Sequence, residues 1–147
     1  KVSKQEKIKG KRVILVGGVF DILHSGHISF LDAAKKQGDL LFILLESDEN
    51  VRNKKGEGRP VNPQGDRSTV LSALSSVDYI IPLRGMTKND EYDKLILQIR
   101  PDVIAMTKNE PGFEQRKKQA SMVGAKVKSV INRVKEKSTT GLINKNG

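Results

Sequence analysis

Two histidines, His24 and His27, lie three residues apart with Gly26 between them, and the 147-residue chain has no others. They follow a short β-branched run that ends at Gly17-Gly18, and they precede an amphipathic stretch typical of a helix. Residues three apart share one side of a helix, so both imidazoles can lie beside the free N–H groups of a helix N-terminus. Such a site can hydrogen-bond the oxygens of a triphosphate and stabilise charge that develops on phosphorus during transfer.

Two other interpretations of this histidine pair are a helix cap and a zinc site. A single histidine near a helix start is usually a cap or a surface residue. Zinc would need further ligands, and the chain has neither cysteine nor a third histidine. The preceding glycines also let the backbone pass close to a phosphate. The pattern as a whole therefore favours a chemical role.

The elements that would position these histidines alternate between strands and helices along the chain. We predict strands at 13–16, 40–45, 79–83, 103–106 and 126–131, and helices at 28–36, 66–75, 92–99, 113–123 and 139–144. Residues 50–65 are predicted to be a loop, and Val70, Leu71 and Leu74 are predicted to face inward. This alternation indicates an α/β fold, a Rossmann-like three-layer sandwich with a five-stranded parallel sheet. Ligands of such sheets bind beyond the carboxyl ends of the strands.

The charge and the aromatic content of the chain indicate which classes of ligand it can bind. The net charge is +10, which suits anionic ligands, but the lysines are spread along the chain and aromatics make up only 4%. This distribution argues against nucleic acid as the partner. No apolar run is long enough for a membrane span, and no secretion signal is visible, so we expect a cytoplasmic protein without a membrane partner. We expect one domain over residues 1–147, with 1–11 as a basic N-terminal extension.

A family resemblance rests on the stretch from Gly18 to His27, which reads GVFDILHSGH. It resembles the HxGH motif of the cytidylyltransferase-like nucleotidyltransferase superfamily, and the similarity extends over almost the whole chain. The stretch from Gly38 to Asp78 most resembles the adenylyltransferase domain that makes ADP-heptose. The resemblance implies transfer of a nucleoside monophosphate, AMP from ATP in the first place, to a small phosphorylated acceptor such as a sugar phosphate, with release of pyrophosphate. It also implies Mg²⁺ held by the triphosphate rather than by direct protein ligands, and a homodimer.

The same resemblance assigns roles to individual residues. The catalytic residues would be His24, His27 and Lys55, and the acceptor-binding residues Asp48, Arg59 and Arg67. The nucleotide-binding residues would be Gly18, Val19, Phe20, Gly26, Arg133, Ser138, Thr139 and Thr140. Lys108 and Asn109, where the chain departs from the relatives, could still line the base pocket and are also taken as nucleotide-binding. Cations in or just past a mobile loop can close over phosphates, although a single loop lysine is more often a surface residue. Asp48 could instead cap a turn. For Asp21 we favour a structural role that orients the loop over an approach to the metal.

The base and the acceptor stay open at this stage. Heptose-type relatives carry a Gly-Gly-Asp stretch where this chain has Thr107-Lys108-Asn109. One alternative is a CTP-dependent cytidylyltransferase of the glycerol-3-phosphate type, and another is an FMN adenylyltransferase. A third, from another class, is a non-catalytic nucleotide-binding module, which would keep the phosphate-binding residues but release no pyrophosphate.

Overall fold

The computed structural model describes residues 10–85, 88–108 and 110–130, which form five strands connected by five helices, two of them between the second and third strands. The strands are β1 (Val13–Gly18), β2 (Leu40–Leu45), β3 (Tyr79–Pro82), β4 (Val103–Met106) and β5 (Lys126–Ser129). The helices are α1 (Ser25–Lys35), α2 (Asp48–Lys55), α3 (Gln64–Ser72), α4 (Asn89–Ile99) and α5 (Phe113–Val123). None of these helices has the length and hydropathy needed to cross a membrane.

The strands form one parallel sheet in the order β3-β2-β1-β4-β5, which confirms the predicted α/β class. The chain order reverses at β1, because β2 lies on one side of this strand and β4 on the other. β1 and β2 are in register over six residue pairs, from Val13–Leu40 to Gly18–Leu45. β1 and β4 share only two pairs, Ile14–Val103 and Leu15–Ile104. The sheet therefore opens between the carboxyl ends of β1 and β4, which is where α/β sheets of this type bind ligands.

Both faces of the sheet are covered by helices, as the predicted three-layer sandwich requires. Side chains of β1 alternate between the two faces. Ile14 and Val16 pack with buried residues of α1 and α3, namely Phe30, Leu31, Ala34 and Leu71. Val13 and Leu15 pack with buried residues of α4 and α5, namely Tyr92, Ile96, Ile99 and Ala120. We call these the α1/α3 face and the α4/α5 face.

The predicted loop over residues 50–65 is wrong in its first part, which is helix α2. The Ser47 hydroxyl accepts a hydrogen bond from the Asn50 N–H at 3.1 Å and caps this helix. Acidic residues occupy its first turn and basic residues its last turn, as the helix dipole favours. Only Asn50 and Val51 of α2 are buried. The apolar periodicity that reveals a helix in a sequence is therefore missing here.

Other boundaries shift by a few residues, whereas β2, β4 and α5 have the bounds predicted for them. Helix α3 begins at Gln64, and the prediction for Val70 is wrong because this side chain is 51% exposed. The inward side of α3 instead combines Leu71 with a buried arginine, Arg67, and Leu74, just past the end of the helix, packs partly buried against the same cluster. The helix predicted at 139–144 lies outside the described residues.

Candidate active site

The histidine pair lies at the start of α1, on the carboxyl side of β1. His24 is the N-cap of α1 and His27 lies in its first turn. Their ring centroids are 4.0 Å apart, and both side chains are half-buried. The structure therefore brings together the two imidazoles that the sequence placed beside one helix N-terminus.

Each imidazole accepts a backbone hydrogen bond through Nδ1. The Gly26 N–H donates to His24 Nδ1 at 3.0 Å, and the His24 N–H donates to His27 Nδ1 at 3.2 Å. A ring nitrogen that accepts a hydrogen bond carries no proton, so the proton of each neutral ring lies on Nε2. Nδ1 of each ring thus holds the start of α1, and Nε2–H is the group of each side chain that is chemically suited to donate to a phosphate oxygen.

Phe20 shapes the loop between β1 and α1. Its backbone adopts a φ of 49°, in the left-handed region, and its ring meets the ring of His27 edge-on with centroids 5.7 Å apart. A Cβ on Gly18 would lie 2.7 Å from Phe20 Cε2, which is closer than real contacts allow. Gly18 is therefore required by a neighbouring aromatic ring, in addition to the close phosphate approach expected from the sequence.

Asp21, in the β1–α1 loop, binds the segment 59–62 through hydrogen bonds. Its carboxylate accepts hydrogen bonds from the N–H groups of Val61 (2.8 Å) and Asn62 (2.9 Å) and from Arg59 Nε (3.2 Å). Burial raises the pKa of Asp21, but these three hydrogen bonds and the Arg59 charge outweigh it, so the pKa lies below its usual value. The structural role favoured for Asp21 agrees with these contacts.

Arg67, predicted as an acceptor-binding cation just past the loop, lies in the interior of the protein in this structure. Its side chain is 0% exposed. The guanidinium donates to the carbonyl of Asn62 (3.0 Å), to the carbonyl of Val19 (2.8 Å) and to Asp48 Oδ1 (2.6 Å). All three of its nitrogens therefore have partners inside the protein. Arg67 joins the β1–α1 loop, the start of α2 and the segment before α3, which makes it a positioning residue in this structure.

A polar pocket of about 300 Å³ opens beside α2 and contains two of the predicted acceptor-binding residues, Asp48 and Arg59. Arg52, which we did not single out from the sequence, also lines it. Asp48 follows β2, as predicted, and its side chain stays 37% exposed beside its ion pair with Arg67. A carboxylate and two arginines in a small pocket suit a ligand that carries both hydroxyl groups and phosphate.

Other predicted residues are not brought into this pocket. Lys55, expected on a loop, is the last residue of α2; it is exposed and does not line the pocket. Lys108 is exposed in the turn after β4, where Glu110 accepts from the N–H and hydroxyl of Thr107. The predicted nucleotide-binding residues Asn109, Arg133, Ser138, Thr139 and Thr140 lie outside the described residues.

Sequence reasoning missed a polar network on the α4/α5 face. Tyr92 donates its hydroxyl to the buried Glu46 Oε2 at 2.7 Å, and the Arg116 guanidinium lies 5.4 Å from the Tyr92 ring centroid. Burial, followed by the hydrogen bond and charge of Glu46, raises the pKa of Tyr92 above its usual value. No sequence signal separates Arg116 from the other cations of α5. In the parts of the chain that the structure describes, no three His, Asp or Glu side chains gather into a metal site.

The histidine pair and the sheet that carries it fall within a known protein family. A family model described as cytidylyltransferase-like matches residues 15–142, which include both histidines and the whole described sheet from Leu15 onward. The chain belongs to the cytidylyltransferase-like family. As a member of this family it is a nucleotidyltransferase, and the HxGH resemblance is confirmed.

Curated relatives of this cytidylyltransferase-like chain include proteins named bifunctional protein HldE. The one from a Nitratiruptor species is 37% identical over 145 residues, covering 97% of this chain and 29% of the relative. The one from Campylobacter concisus is 43% identical over 136 residues, covering 90% of this chain and 26% of the relative. The chain thus spans less than a third of the length of these relatives.

Solved structures show the same cytidylyltransferase-like architecture. The lipopolysaccharide core biosynthesis protein from Thermoplasma volcanium GSS1 superposes with a TM-score of 0.68 and 29% identity, covering 84% of this chain and 97% of that one. The pantoate-beta-alanine ligase from Francisella tularensis superposes with a TM-score of 0.60 over 84% of this chain and 60% of its own. Its identity is 18%, so it supports the fold alone.

Proposed function

We propose that this nucleotidyltransferase transfers AMP from ATP to the phosphate of a sugar phosphate and releases pyrophosphate. The observation that carries the proposal is the pair of Nε2–H donors held at the start of α1, beside the opening between β1 and β4. The resemblance of residues 38–78 to an ADP-heptose-forming domain supports the adenylyl group and the sugar. A relative whose name places it in lipopolysaccharide core biosynthesis supports a sugar as well.

The reaction needs no covalent intermediate with the protein. An oxygen of the acceptor's phosphate attacks the α-phosphorus in line, a new P–O bond forms, and the bond to the bridging oxygen of the β-phosphate breaks. Pyrophosphate takes the electron pair and leaves. His24 and His27 would donate hydrogen bonds to the phosphate oxygens, where negative charge is greatest in the transition state. The protein thus contributes positioning and charge stabilisation.

The polar pocket beside α2 is the proposed site for the acceptor's sugar. Asp48 can accept hydrogen bonds from sugar hydroxyls, and Arg52 and Arg59 offer cations for the phosphate. Asp21 and Arg67 hold the pocket's walls against the β1–α1 loop through the hydrogen bonds described above. We propose that Lys55 and Lys108 approach the phosphates and the base only when substrates are bound, because both are exposed in this structure.

Mg²⁺ is proposed to arrive on the triphosphate. The described residues fit that arrangement, because Asp48, the carboxylate that lines the pocket, is already paired with Arg67, and Asp21 is paired with Arg59 of the pocket. Mg²⁺ bound to the phosphates would neutralise part of their negative charge. A homodimer and a cytoplasmic location also stay proposals, and light scattering of the purified protein tests the dimer.

Pyrophosphate release tests the proposal directly. ATP and CTP are each paired with heptose 1-phosphate, glycerol 3-phosphate and FMN, and we expect release with ATP and heptose 1-phosphate. Release with CTP but not with ATP would reject the adenylyl assignment and favour the cytidylyltransferase alternative. Nucleotide binding without release for any acceptor would favour the non-catalytic alternative.

Two substitutions of His24 distinguish its role as the N-cap of α1 from its proposed role in catalysis. His24→Asn keeps a side-chain acceptor for the α1 start but loses the Nε2 donor, whereas His24→Ala loses both. We expect the turnover of both variants to fall about 100-fold or more. His24→Ala should also lose about 1 kcal/mol of stability through its missing cap. Wild-type turnover in His24→Asn would reject the role of the histidine.

A further inference from the structure

Arg116 is held in place by residues that the proposed reaction does not otherwise use. Its Nη1 donates to Gln119 Oε1 at 2.8 Å, and Gln119 Nε2 donates to Asp93 Oδ1 at 3.1 Å. Gln119 itself is 1% exposed. The guanidinium also lies against the ring of Tyr92, whose hydroxyl is fixed by Glu46. The orientation of Arg116 is therefore set by contacts on two sides.

The guanidinium reaches the carboxyl end of β1. A Cβ placed on Gly17 would lie 3.7 Å from Arg116 Nη2. Gly17 follows the last residue pair between β1 and β4, Leu15–Ile104, so it borders the opening between these strands. Alternation along β1 directs position 17 to the α4/α5 face, whereas the histidine helix α1 packs on the other face. Arg116 thus approaches the opening from the side opposite the histidine pair.

Charge pairing distinguishes Arg116 from Arg59 and Arg67, and burial distinguishes it from Arg52, which is exposed. Arg59 is paired with Asp21, and Arg67 with Asp48. Arg116 is half-buried, and within residues 10–85, 88–108 and 110–130 no carboxylate forms an ion pair with it. Its Nε and Nη2 donate to no residue in those ranges. A partly desolvated cation with unfilled donors is stabilised when an anion binds to it.

We propose that Arg116 binds a phosphate group of the substrates at the opening between β1 and β4, from the face opposite His24 and His27. The inference rests on the proposed function, because that reaction must bring two phosphates together. The α-phosphate and the acceptor's phosphate are both anionic and repel each other, and a guanidinium beside them offsets that repulsion. The bound group belongs either to ATP or to the sugar phosphate.

Equilibrium binding tests the inference with Arg116→Gln and Arg116→Met. The methionine variant keeps an apolar stem against Tyr92, so one charge-free variant should fold even if the other does not. Lys118→Gln is the matched control, because Lys118 lies exposed on the same helix and loses the same charge. Calorimetry measures the Kd of ATP and of heptose 1-phosphate, with adenosine and unphosphorylated heptose as neutral counterparts.

We expect one of the two phosphorylated ligands to bind about 10- to 100-fold more weakly to both Arg116 variants, with the neutral ligands unchanged. The ligand that weakens identifies the source of the phosphate. Affinities for both phosphorylated ligands within about twofold of those of Lys118→Gln would overturn the inference. Because binding is measured without turnover, a wild-type protein that binds ATP but releases no pyrophosphate would refute the proposed function separately.

Discussion

Arg67→Met removes the guanidinium that joins three segments of the site, and its effect on stability can be estimated from the contacts. Methionine fills most of the same volume, so the cavity left behind is small. The carbonyls of Val19 and Asn62 lose their donor, at about 1–3 kcal/mol each. Asp48 is partly exposed and can be hydrated, so little is added for the lost ion pair. We expect a loss of about 3 kcal/mol in the free energy of unfolding.

Urea unfolding at pH 7 measures this loss, and Arg100→Met is the control because Arg100 is an exposed arginine. The midpoint should fall while the slope m stays constant, and Tm should drop by about 6–12 °C. In the pyrophosphate-release assay kcat should fall and KM should rise, because Arg67 contacts both the β1–α1 loop and Asp48 of the pocket. If Arg67→Met were as stable as Arg100→Met and only the acceptor KM rose, Arg67 would be a direct ligand of the substrate and the positioning argument would be refuted.

Three further substitutions test other contacts. Asp21→Asn should be less stable than the wild type at pH 7, because the lowered folded pKa of Asp21 stabilises the protein fully above the unfolded pKa, near 3.8. This stabilisation is lost as the pH falls through the folded pKa, so the gap in urea midpoints should narrow from pH 7 to pH 3, and an unchanged gap would contradict the argument. Gly18→Ala should lower the free energy of unfolding by about 1–3 kcal/mol, because the added Cβ would clash with the ring of Phe20. Gly17→Ala is the control, since its Cβ would make only ordinary contacts, and equal melting temperatures of the two variants would contradict this packing. Tyr92→Phe leaves the buried Glu46 oxygen without its donor and should lose about 1–3 kcal/mol by calorimetry, and an unchanged Tm would show that the hydroxyl is dispensable.

The sequence was a good guide to the fold wherever burial left a pattern. β2 is apolar at every position and is buried on both faces, so its bounds could be predicted. β4 and α5 are bounded by Pro101, Gly112 and Gly124, which stop regular structure. α2 was missed because its stability comes from a cap and from tertiary contacts rather than from an apolar stripe.

The candidate site was predictable in part. The histidine pair was found from residue type and spacing, because local geometry is enough to bring residues three apart together. The burial of Arg67 could not be predicted from the sequence, because its partners Val19 and Asp48 lie 48 and 19 positions away along the chain. Arg116 was hidden for the same reason, as only the folded sheet shows that it reaches Gly17.

The short register between β1 and β4 divides the sheet into a three-stranded part and a two-stranded part. Only two residue pairs join β1 to β4, whereas six join β1 to β2. A molecule that contacts both β1 and β4 adds interactions between the two parts of the sheet and thereby stabilises their association. Deuterium uptake at the backbone amides of β4 should therefore slow when substrate is bound, even for amides that no substrate atom touches.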